Sequence, residues 1–163
     1  MSRKGDGKLR LLVVCLGNIC RSPMAEGALR HRLEEAGLGD RVEVDSAGLG
    51  KWHAGRPPDR RAIACAASHG VDISDLRGRQ ITDADYTEFD VLLCADADIL
   101  YTVQTHAPAG ATAEARLLLG WSGLGEIQIP DPYTQNVAAF EHAWELVDEA
   151  AAAIVERVLG GLE

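Results

Sequence analysis

Four short apolar runs alternate with segments of helical periodicity, and this alternation restricts the possible folds more than any other feature. The runs that fit strands are residues 9–15, 42–45, 89–94 and 115–119. Apolar side chains recur every three or four residues between these runs and after the last one. Strands that alternate with helices form right-handed crossovers and a parallel sheet. We therefore predict one α/β domain, a three-layer sandwich with helices on both faces of a four-stranded parallel sheet.

Two of the helices have clear limits in the sequence. Ser22 and Pro23 are the usual N-cap and first-turn residues, and Gly37 stands where a helix begun there would end. The last helix is the most regular one, because apolar residues step by three and four from Val137 to Val158.

Length, cysteine content and charge exclude several classes of protein. A chain of 163 residues can bury one core without disulfide bonds, and its four cysteines are scattered. Sixteen basic against 25 acidic residues give a net charge of -9, with no basic stripe for nucleic acid. No apolar run has the length of a membrane span or the form of a signal peptide. We expect a cytoplasmic protein without nucleic-acid or membrane partners, with a flexible tail at residues 1–8 and the domain at 9–163.

The stretch CLGNICRS, residues 15–22, lies where a parallel sheet places its ligands, beyond the carboxyl end of a strand. A loop that leaves a strand and enters a helix can turn its backbone N–H groups toward an anion, and the helix adds its positive end. Gly17 permits the backbone angles that a tight loop needs. The guanidinium of Arg21 can bind two phosphate oxygens at once. The stretch therefore predicts a phosphate-binding loop.

Cys15 stands at the base of this loop and is the candidate nucleophile. The loop N–H groups and Arg21 would stabilise its thiolate, and Ser22 could donate a hydrogen bond to the sulfur. These residues fit phosphoryl transfer through a phosphocysteine. A cysteine at a strand end can also be inert packing, and Cys15 with Cys20 could be half of a metal site, but no second pair of ligands accompanies them. A nucleotide-binding loop would end in Gly-Lys-Ser/Thr, which is absent here.

The stretch VCLGNICRSPMAEG at 14–27 resembles the active-site signature of the low-molecular-weight protein tyrosine phosphatases. Further pieces follow in that family's order: DSAG at 45–48, WHAGRPPDRR at 52–61, HG at 69–70, RQI at 79–81, FD at 89–90 and PDPY at 130–133. The resemblance implies the strand order 2-1-3-4 and hydrolysis of phosphotyrosine without cofactor or metal. It also implies phosphotyrosine proteins as partners, a bacterial tyrosine kinase among them. The phosphate-binding loop would comprise Leu16, Gly17, Asn18, Ile19, Cys20 and Ser22.

The same resemblance assigns a proton donor and the walls of a pocket. Asp131 of the PDPY segment would protonate the leaving oxygen and then activate water, with an ordinary Asp-Pro turn as the alternative. By the family pattern, Trp52 and Tyr133 would line opposite sides of the pocket. Trp52 stands in a polar, glycine-flanked loop, a poor place for a core residue, and ordinary packing is the alternative. Thr134 occupies a position where the family often has a second aromatic residue, which leaves one side of the pocket more open.

Residues that support the loop are also implied by the family pattern. Asn18, Ser46 and His69 match positions that brace the loop by hydrogen bonds. Ser46 could equally be a strand-end cap, and His69 a surface histidine. Cys20 matches a cysteine that forms a reversible disulfide with the nucleophile Cys15, with a buried small side chain as the alternative.

Other functions on the same scaffold have to be weighed. Related arginine phosphatases tend to carry threonine where Ile19 stands, and the apolar Ile19 suits an aromatic ring instead. Arsenate reductases use a resolving cysteine near Cys94 and another several residues on, which this chain lacks. A non-catalytic phosphate-binding or redox-sensing protein would be expected to lose Cys15, Arg21 or Asp131, and all three are present.

Overall fold

Four parallel strands form one sheet in the order β2-β1-β3-β4 in a computed structural model, which describes residues 7–125 and 127–161. The elements in chain order are β1 (Leu9–Cys15), α1 (Arg21–Glu35), β2 (Val42–Gly48), α2 (Arg60–Ser68), α3 (Asp85–Glu88), β3 (Val91–Cys94), α4 (Ala97–Thr105), β4 (Glu114–Leu117), α5 (Leu118–Trp121) and α6 (Val137–Leu159). The predicted α/β fold and its strand order are therefore confirmed. Residues 1–6 of the predicted tail and residues 162 and 163 of the predicted domain lie outside the described residues.

The central strand β1 divides the interior into two apolar cores. Leu11 and Val13 point to a large core that also contains residues of α1, α2 and α6. Leu12 and Val14 point to a smaller core beneath α3 and α4. Side chains alternate along a strand, so an uninterrupted apolar run such as β1 fills both faces at once. This burial on both faces gives the three layers.

Helix α1 ends as the sequence predicts and begins differently. Gly37 has a φ of +75°, and the N–H groups of Gly37 and Leu38 donate to the carbonyls of Glu34 and Leu33, which is a Schellman ending. At the other end Cys20 occupies the N-cap position, and no side chain caps the helix. Ser22 is thus not the N-cap that its sequence position predicts. It lies inside the first turn, fully buried, with its hydroxyl turned toward the loop.

The second and fourth strands differ from their predicted limits for physical reasons. Strand β2 runs on to Gly48, because all seven of its residues pair with β1 up to Cys15. The fourth strand stops at Leu117, before the predicted limit. Leu118 and Leu119 both pack into the large core, which consecutive residues of a strand cannot do because their side chains point to opposite faces. These residues form the short helix α5 instead.

The carboxyl ends of β1, β2 and β3 meet at one edge of the sheet, where Cys15 pairs with Gly48 and Val14 with Cys94. The loop at residues 15–22 leaves β1 at this edge. Within residues 7–125 and 127–161 the structure contains no helix both long and apolar enough to cross a bilayer.

Candidate active site

The loop between β1 and α1 is seated on the end of β2. Gly48 approaches it so closely that a Cβ atom there would lie 3.0 Å from the Leu16 carbonyl oxygen and from the Asn18 nitrogen. The N–H of Leu49 donates to the carbonyls of both Cys15 and Leu16 at 3.0 Å. A side chain at this contact would press on the loop backbone, so the glycine of the DSAG segment allows the loop to lie this close to the sheet.

Asn18 holds the loop in its curled form. Its φ is 59°, the one left-handed angle of a non-glycine residue in the described part of the chain. Its side-chain amide donates to the Ser22 hydroxyl at 2.8 Å and to the Ser46 hydroxyl at 3.0 Å. Its side-chain oxygen accepts the backbone N–H of Arg79 at 2.9 Å. These three bonds offset the cost of the strained backbone, which is about 1–3 kcal/mol for such a residue.

Cys15 lies at the bottom of the loop and is buried. Its sulfur is 2.9 Å from the hydroxyl oxygen of Ser22. Because that oxygen already accepts from Asn18, the hydroxyl proton of Ser22 can point to the sulfur. The arrangement gives a thiolate at Cys15 a hydrogen-bond donor.

Ser46 extends this hydrogen-bond chain to a buried carboxyl group. Its hydroxyl donates to Glu26 at 2.6 Å, and Glu26 also pairs with the half-exposed Arg30 at 2.7 Å. Burial raises the pKa of Glu26, while its bonds to Ser46 and Arg30 oppose that rise. The sequence interpretation did not include Glu26, although it lies within the quoted PMAEG segment.

Arg21 is held by partners that lie outside the loop. Its Nη1 donates to Asp96 at 2.7 Å and to the carbonyl of Ile129 at 2.9 Å. Asp96 is itself held at the N-cap of α4, where it accepts from the N–H of Ile99 at 2.8 Å. The Nη2 of Arg21 lies 3.7 Å from a carboxylate oxygen of Asp131. The guanidinium is thus oriented before a substrate arrives, which reduces the entropy lost on binding.

The segment that carries Asp131 is tied to α2 by Arg61. The Arg61 guanidinium donates to the carbonyls of Tyr133 at 2.8 Å and Gln135 at 3.2 Å, and it lies 4.6 Å above the centroid of the Phe140 ring. Asp59 holds the guanidinium from behind with two further bonds of 3.0 Å, which lower the pKa of that carboxyl group. Arg61 lies within the quoted WHAGRPPDRR segment, but its role depends on contacts that are distant in sequence.

The phosphate-binding loop, the loop at residues 52–53 and the segment with Asp131 form a cavity of about 120 Å³. Most of the predicted site residues meet there. The residues that line it are Cys15, Leu16, Gly17, Ile19, Cys20, Arg21, Trp52, His53, Asp131 and Tyr133. Trp52 is 67% exposed, and its ring lies against Gly50, where any Cβ atom would overlap it. His53 was not predicted, and its ring packs beside Gly17. The cavity has a thiol and a guanidinium within it, a carboxylate at its side and aromatic rings at its rim.

The family model of the low molecular weight phosphotyrosine protein phosphatases matches residues 10–160. The chain belongs to this family. It is 40% identical over 159 residues to the low molecular weight protein-tyrosine-phosphatase of Streptomyces coelicolor, an alignment that covers 93% of this chain and 96% of that protein. It is 35% identical over 149 residues to the low molecular weight phosphotyrosine protein phosphatase of Homo sapiens, which covers 90% of this chain and 94% of that one.

Solved structures of the family superimpose on nearly the whole chain. Vibrio vulnificus Wzb in complex with benzylphosphonate has a TM-score of 0.81 and 34% identity, covering 93% of this chain and 99% of that chain. The drosophila arginine phosphatase DARP has a TM-score of 0.85 and 32% identity, covering 92% of this chain and 98% of that chain. The predicted family resemblance is therefore confirmed.

Within this phosphatase domain the cysteines fall into different environments. Cys20 lines the same cavity as Cys15, and burial together with the nearby carboxylate of Asp59 raises its pKa. Cys94 packs in the smaller core, where burial raises its pKa to about 12. Cys94 does not line the cavity. An arsenate reductase would need Cys94 to form a disulfide with the nucleophile Cys15, and the position of Cys94 in the core does not support this.

Three residues were expected to support the phosphatase loop by hydrogen bonds. Asn18 and Ser46 make such bonds, and His69 does not. Asn18 and Ser46 are hydrogen-bonded to each other, as described above. His69 bonds instead to Glu141 at 2.5 Å and stacks on Trp144, at the contact between α2 and α6. The structure places His69 away from the loop, as the surface histidine that the sequence offered as the alternative to a brace, because His69 lies at the C-terminal end of α2 while the N-terminal end of that helix faces the loop.

Proposed function

We propose that this chain hydrolyses phosphotyrosine in proteins through a phosphocysteine at Cys15. The observation that carries the proposal is the single cavity that holds Cys15, Arg21 and Asp131 under an aromatic rim. The proposed partners are phosphotyrosine proteins, a bacterial tyrosine kinase among them. No step needs a metal or a cofactor, because Arg21 and the loop N–H groups neutralise the phosphate.

In the first step the thiolate of Cys15 attacks phosphorus, and the bond from phosphorus to the tyrosine oxygen breaks. Arg21 binds two equatorial oxygens, and the loop N–H groups bind the charge that develops on them. Asp131 gives its proton to the leaving phenolate oxygen. This transfer contributes about 10²–10⁴-fold to the rate in typical enzymes.

In the second step water hydrolyses the phosphocysteine. Asp131, now a carboxylate, takes a proton from the water. The oxygen of that water attacks phosphorus at the same time. The sulfur leaves as a thiolate, which the hydroxyl of Ser22 stabilises from 2.9 Å. The enzyme returns to its starting state with phosphate in the loop.

The walls of the cavity favour an aromatic phosphoester over other substrates. Trp52, Tyr133 and Ile19 offer apolar surface for a ring. A phosphoarginine substrate is the second candidate, because the drosophila arginine phosphatase has the same fold. Its charged guanidinium would lie against the apolar side chain of Ile19, so we place tyrosine first.

A panel of matched peptides tests this assignment. Peptides of one sequence would carry phosphotyrosine, phosphoserine or phosphoarginine, and kcat/KM would be measured for each with the wild type and with Cys15→Ser. We expect the phosphotyrosine peptide to be hydrolysed fastest and the variant to be inactive on all of them while it still binds tungstate. Faster release of phosphate from phosphoarginine would reverse the substrate assignment. Appreciable turnover by Cys15→Ser would overturn the assignment of the nucleophile.

A further inference from the structure

A second group of reactive side chains lies between α2 and α6, apart from the residues that line the catalytic cavity. Cys65, His69 and Glu141 bring one sulfur, one nitrogen and one oxygen atom within 4.8 Å of one another. We call these three residues the Cys-His-Glu cluster. In the described residues, 7–125 and 127–161, it is the one group of three such ligands that meets in this way. The proposed hydrolysis makes no use of it.

The helix geometry explains why these side chains converge. Cys65 lies in α2 and His69 is the residue just past its end, so the pair is four residues apart and shares one face of the helix. Glu141 lies near the start of α6, on the face that packs against α2. The sulfur of Cys65 is 3.7 Å from one oxygen of Glu141, and His69 Nε2 is 2.5 Å from the other.

We propose that the Cys-His-Glu cluster binds one Zn²⁺ ion that joins α2 to α6. Thiolate, imidazole and carboxylate are the ligands that zinc takes in proteins, with bonds of about 2.0–2.3 Å and tetrahedral angles. Such a site places a sulfur and an oxygen about 3.5 Å apart, and a nitrogen and an oxygen about 3.3 Å apart. The two contacts run to different oxygens of Glu141, because the sulfur is 3.7 Å from Oε1 and His69 Nε2 is 2.5 Å from Oε2. With Oε1 as the ligand oxygen, its distance to the sulfur already agrees with this geometry. The hydrogen bond from His69 to Oε2 must break, which a rotation of the partly exposed carboxylate allows.

The cluster is also accessible and held in place. The side chains of His69 and Glu141 are 36% and 43% exposed, so an ion can enter from solvent and keep a water molecule as its fourth ligand. The ring of Trp144 stacks on that of His69 with centroids 5.2 Å apart, which fixes the imidazole plane. Cys65 is buried beneath them.

Binding requires a simple exchange of bonds. The Cys65 thiol releases its proton to solvent and becomes a thiolate ligand, and the hydrogen bond between His69 and Glu141 is replaced by two bonds to the metal. No oxidation or reduction takes place. Because the ion binds the folded state, the stabilisation grows with the logarithm of the metal concentration above the dissociation constant, and the melting temperature rises accordingly.

Cobalt(II) serves as the spectroscopic probe, because its bond to a thiolate gives a charge-transfer absorption that zinc removes by competition. The double variant Cys15→Ser/Cys20→Ser is the starting protein, since the thiols of the catalytic cavity could bind the same ions. We expect one cobalt ion per chain, an absorption band of thiolate ligation, and loss of that band on addition of one equivalent of Zn²⁺. In the same protein Zn²⁺ should raise the melting temperature.

Further variants in this starting protein identify the ligands. Cys65→Ser should lose the band. His69→Gln and Glu141→Gln should each weaken cobalt binding at least about tenfold, because even residues that only orient a metal ligand cost about that much when they are changed. His142→Gln, an exposed histidine beside the cluster, is the matched control and should bind cobalt unchanged. Glu141→Gln changes an exposed residue, so it reports on the site even if Cys65→Ser unfolds. Absence of a thiolate band in the starting protein, unchanged binding by Glu141→Gln, or equal weakening by His142→Gln would each overturn the proposal.

Discussion

The hydroxyl oxygen of Ser22 lies 2.9 Å from the sulfur of Cys15, and the side-chain amide of Asn18 donates to that same oxygen. The hydroxyl proton of Ser22 can therefore point to the sulfur, and Ser22 does not cap α1. A hydrogen bond to a charged partner is worth about 1.5–3 kcal/mol. In the proposed mechanism the sulfur is charged before attack and again when the phosphocysteine breaks, so this bond is expected to act at both ends of the cycle.

Ser22→Ala should slow breakdown of the phosphocysteine more than its formation, because the departing thiolate loses its donor. We expect kcat to fall about 10–100-fold, as the energy of one such bond implies. Rapid-mixing measurements with p-nitrophenyl phosphate should then show a burst of nitrophenol followed by a slow steady rate. Ser68→Ala is the control, since the Ser68 hydroxyl bonds to the carbonyl of Cys65 and not to the loop. Loss of rate without a burst would place the role of Ser22 in the first step alone.

Arg61→Gln should slow catalysis without weakening the binding of phosphate to the loop. The variant loses the bonds from the guanidinium to the carbonyls of Tyr133 and Gln135, so the segment with Asp131 is held less firmly. We expect kcat to fall about tenfold, because small errors in the position of a catalytic group are costly. Competitive inhibition by phosphate should change little, since Arg21 and the loop N–H groups remain.

The neighbouring exposed residue gives the matched control for Arg61. Arg60→Gln removes the same charge from the first turn of α2 and should leave kcat unchanged. If Arg60→Gln and Arg61→Gln slow the reaction equally, loss of positive charge and not loss of positioning explains the effect.

Local patterns in the sequence were enough to predict the fold and the phosphate-binding loop. The hydrogen bonds that position the loop and the segment with Asp131 join residues that are distant in sequence, and these could not be predicted. The apolar run of β1 and the residues at 15–22 carry their information within a few positions, so the strand and the loop could be identified. Arg61 contacts Tyr133 across 72 positions, and Ser46 contacts Glu26 across 20. Periodicity contains no signal for such pairs. The two readings of His69 stayed open for the same reason, since its partner Glu141 lies 72 positions away.

Glu26 predicts a dependence of stability on pH. Burial is the main cause that raises its pKa in the folded state above the ordinary value of 4.5. The folded state therefore holds this proton more tightly than the unfolded state does. The resulting stabilisation is fully present below about pH 4.5 and is lost as the pH rises through the folded pKa.

Glu26→Gln removes that titration, so the difference in unfolding free energy between the two proteins isolates it. As the pH rises from about 4 to 7, the wild type should lose stability relative to Glu26→Gln. Urea unfolding at several pH values measures the difference. Glu34→Gln, at an exposed position of the same helix, should run parallel to the wild type. A wild type that gains stability over Glu26→Gln across this range would mean that the bonds to Ser46 and Arg30 outweigh burial.

Oxidation should link Cys15 to Cys20. Both line one cavity, and the raised pKa of Cys20 keeps it a thiol, so Cys15 is the sulfur that peroxide attacks first. Peroxide converts the Cys15 thiolate to a sulfenic acid, and the Cys20 sulfur then forms the disulfide with release of water. Thiol reductants should restore the wild type after mild peroxide. In Cys20→Ser the sulfenic acid at Cys15 lacks the Cys20 thiol, so further peroxide oxidises it to the sulfinic acid and thiol reductants cannot restore the activity. Cys94→Ser should recover from the same treatment as the wild type does. Peptide mapping that finds Cys15 linked to Cys94 would contradict this pairing.

Asp131→Asn should change how the rate depends on the leaving group. An asparagine keeps the shape of the side chain and its bond to the N–H of Tyr133, but it has no proton to transfer. Aryl phosphates with strongly basic leaving groups need that proton most, so their hydrolysis should slow by about 10²–10⁴-fold. Activated aryl phosphates leave well without protonation and should slow least. Single-turnover rates over a series of substituted phenyl phosphates measure this slope, with Asp98→Asn on the exposed face of α4 as the control. If Asp131→Asn slows every substrate by the same factor, Asp131 acts by shaping the turn and pairing with Arg21 at 3.7 Å, and the proton must come from another group.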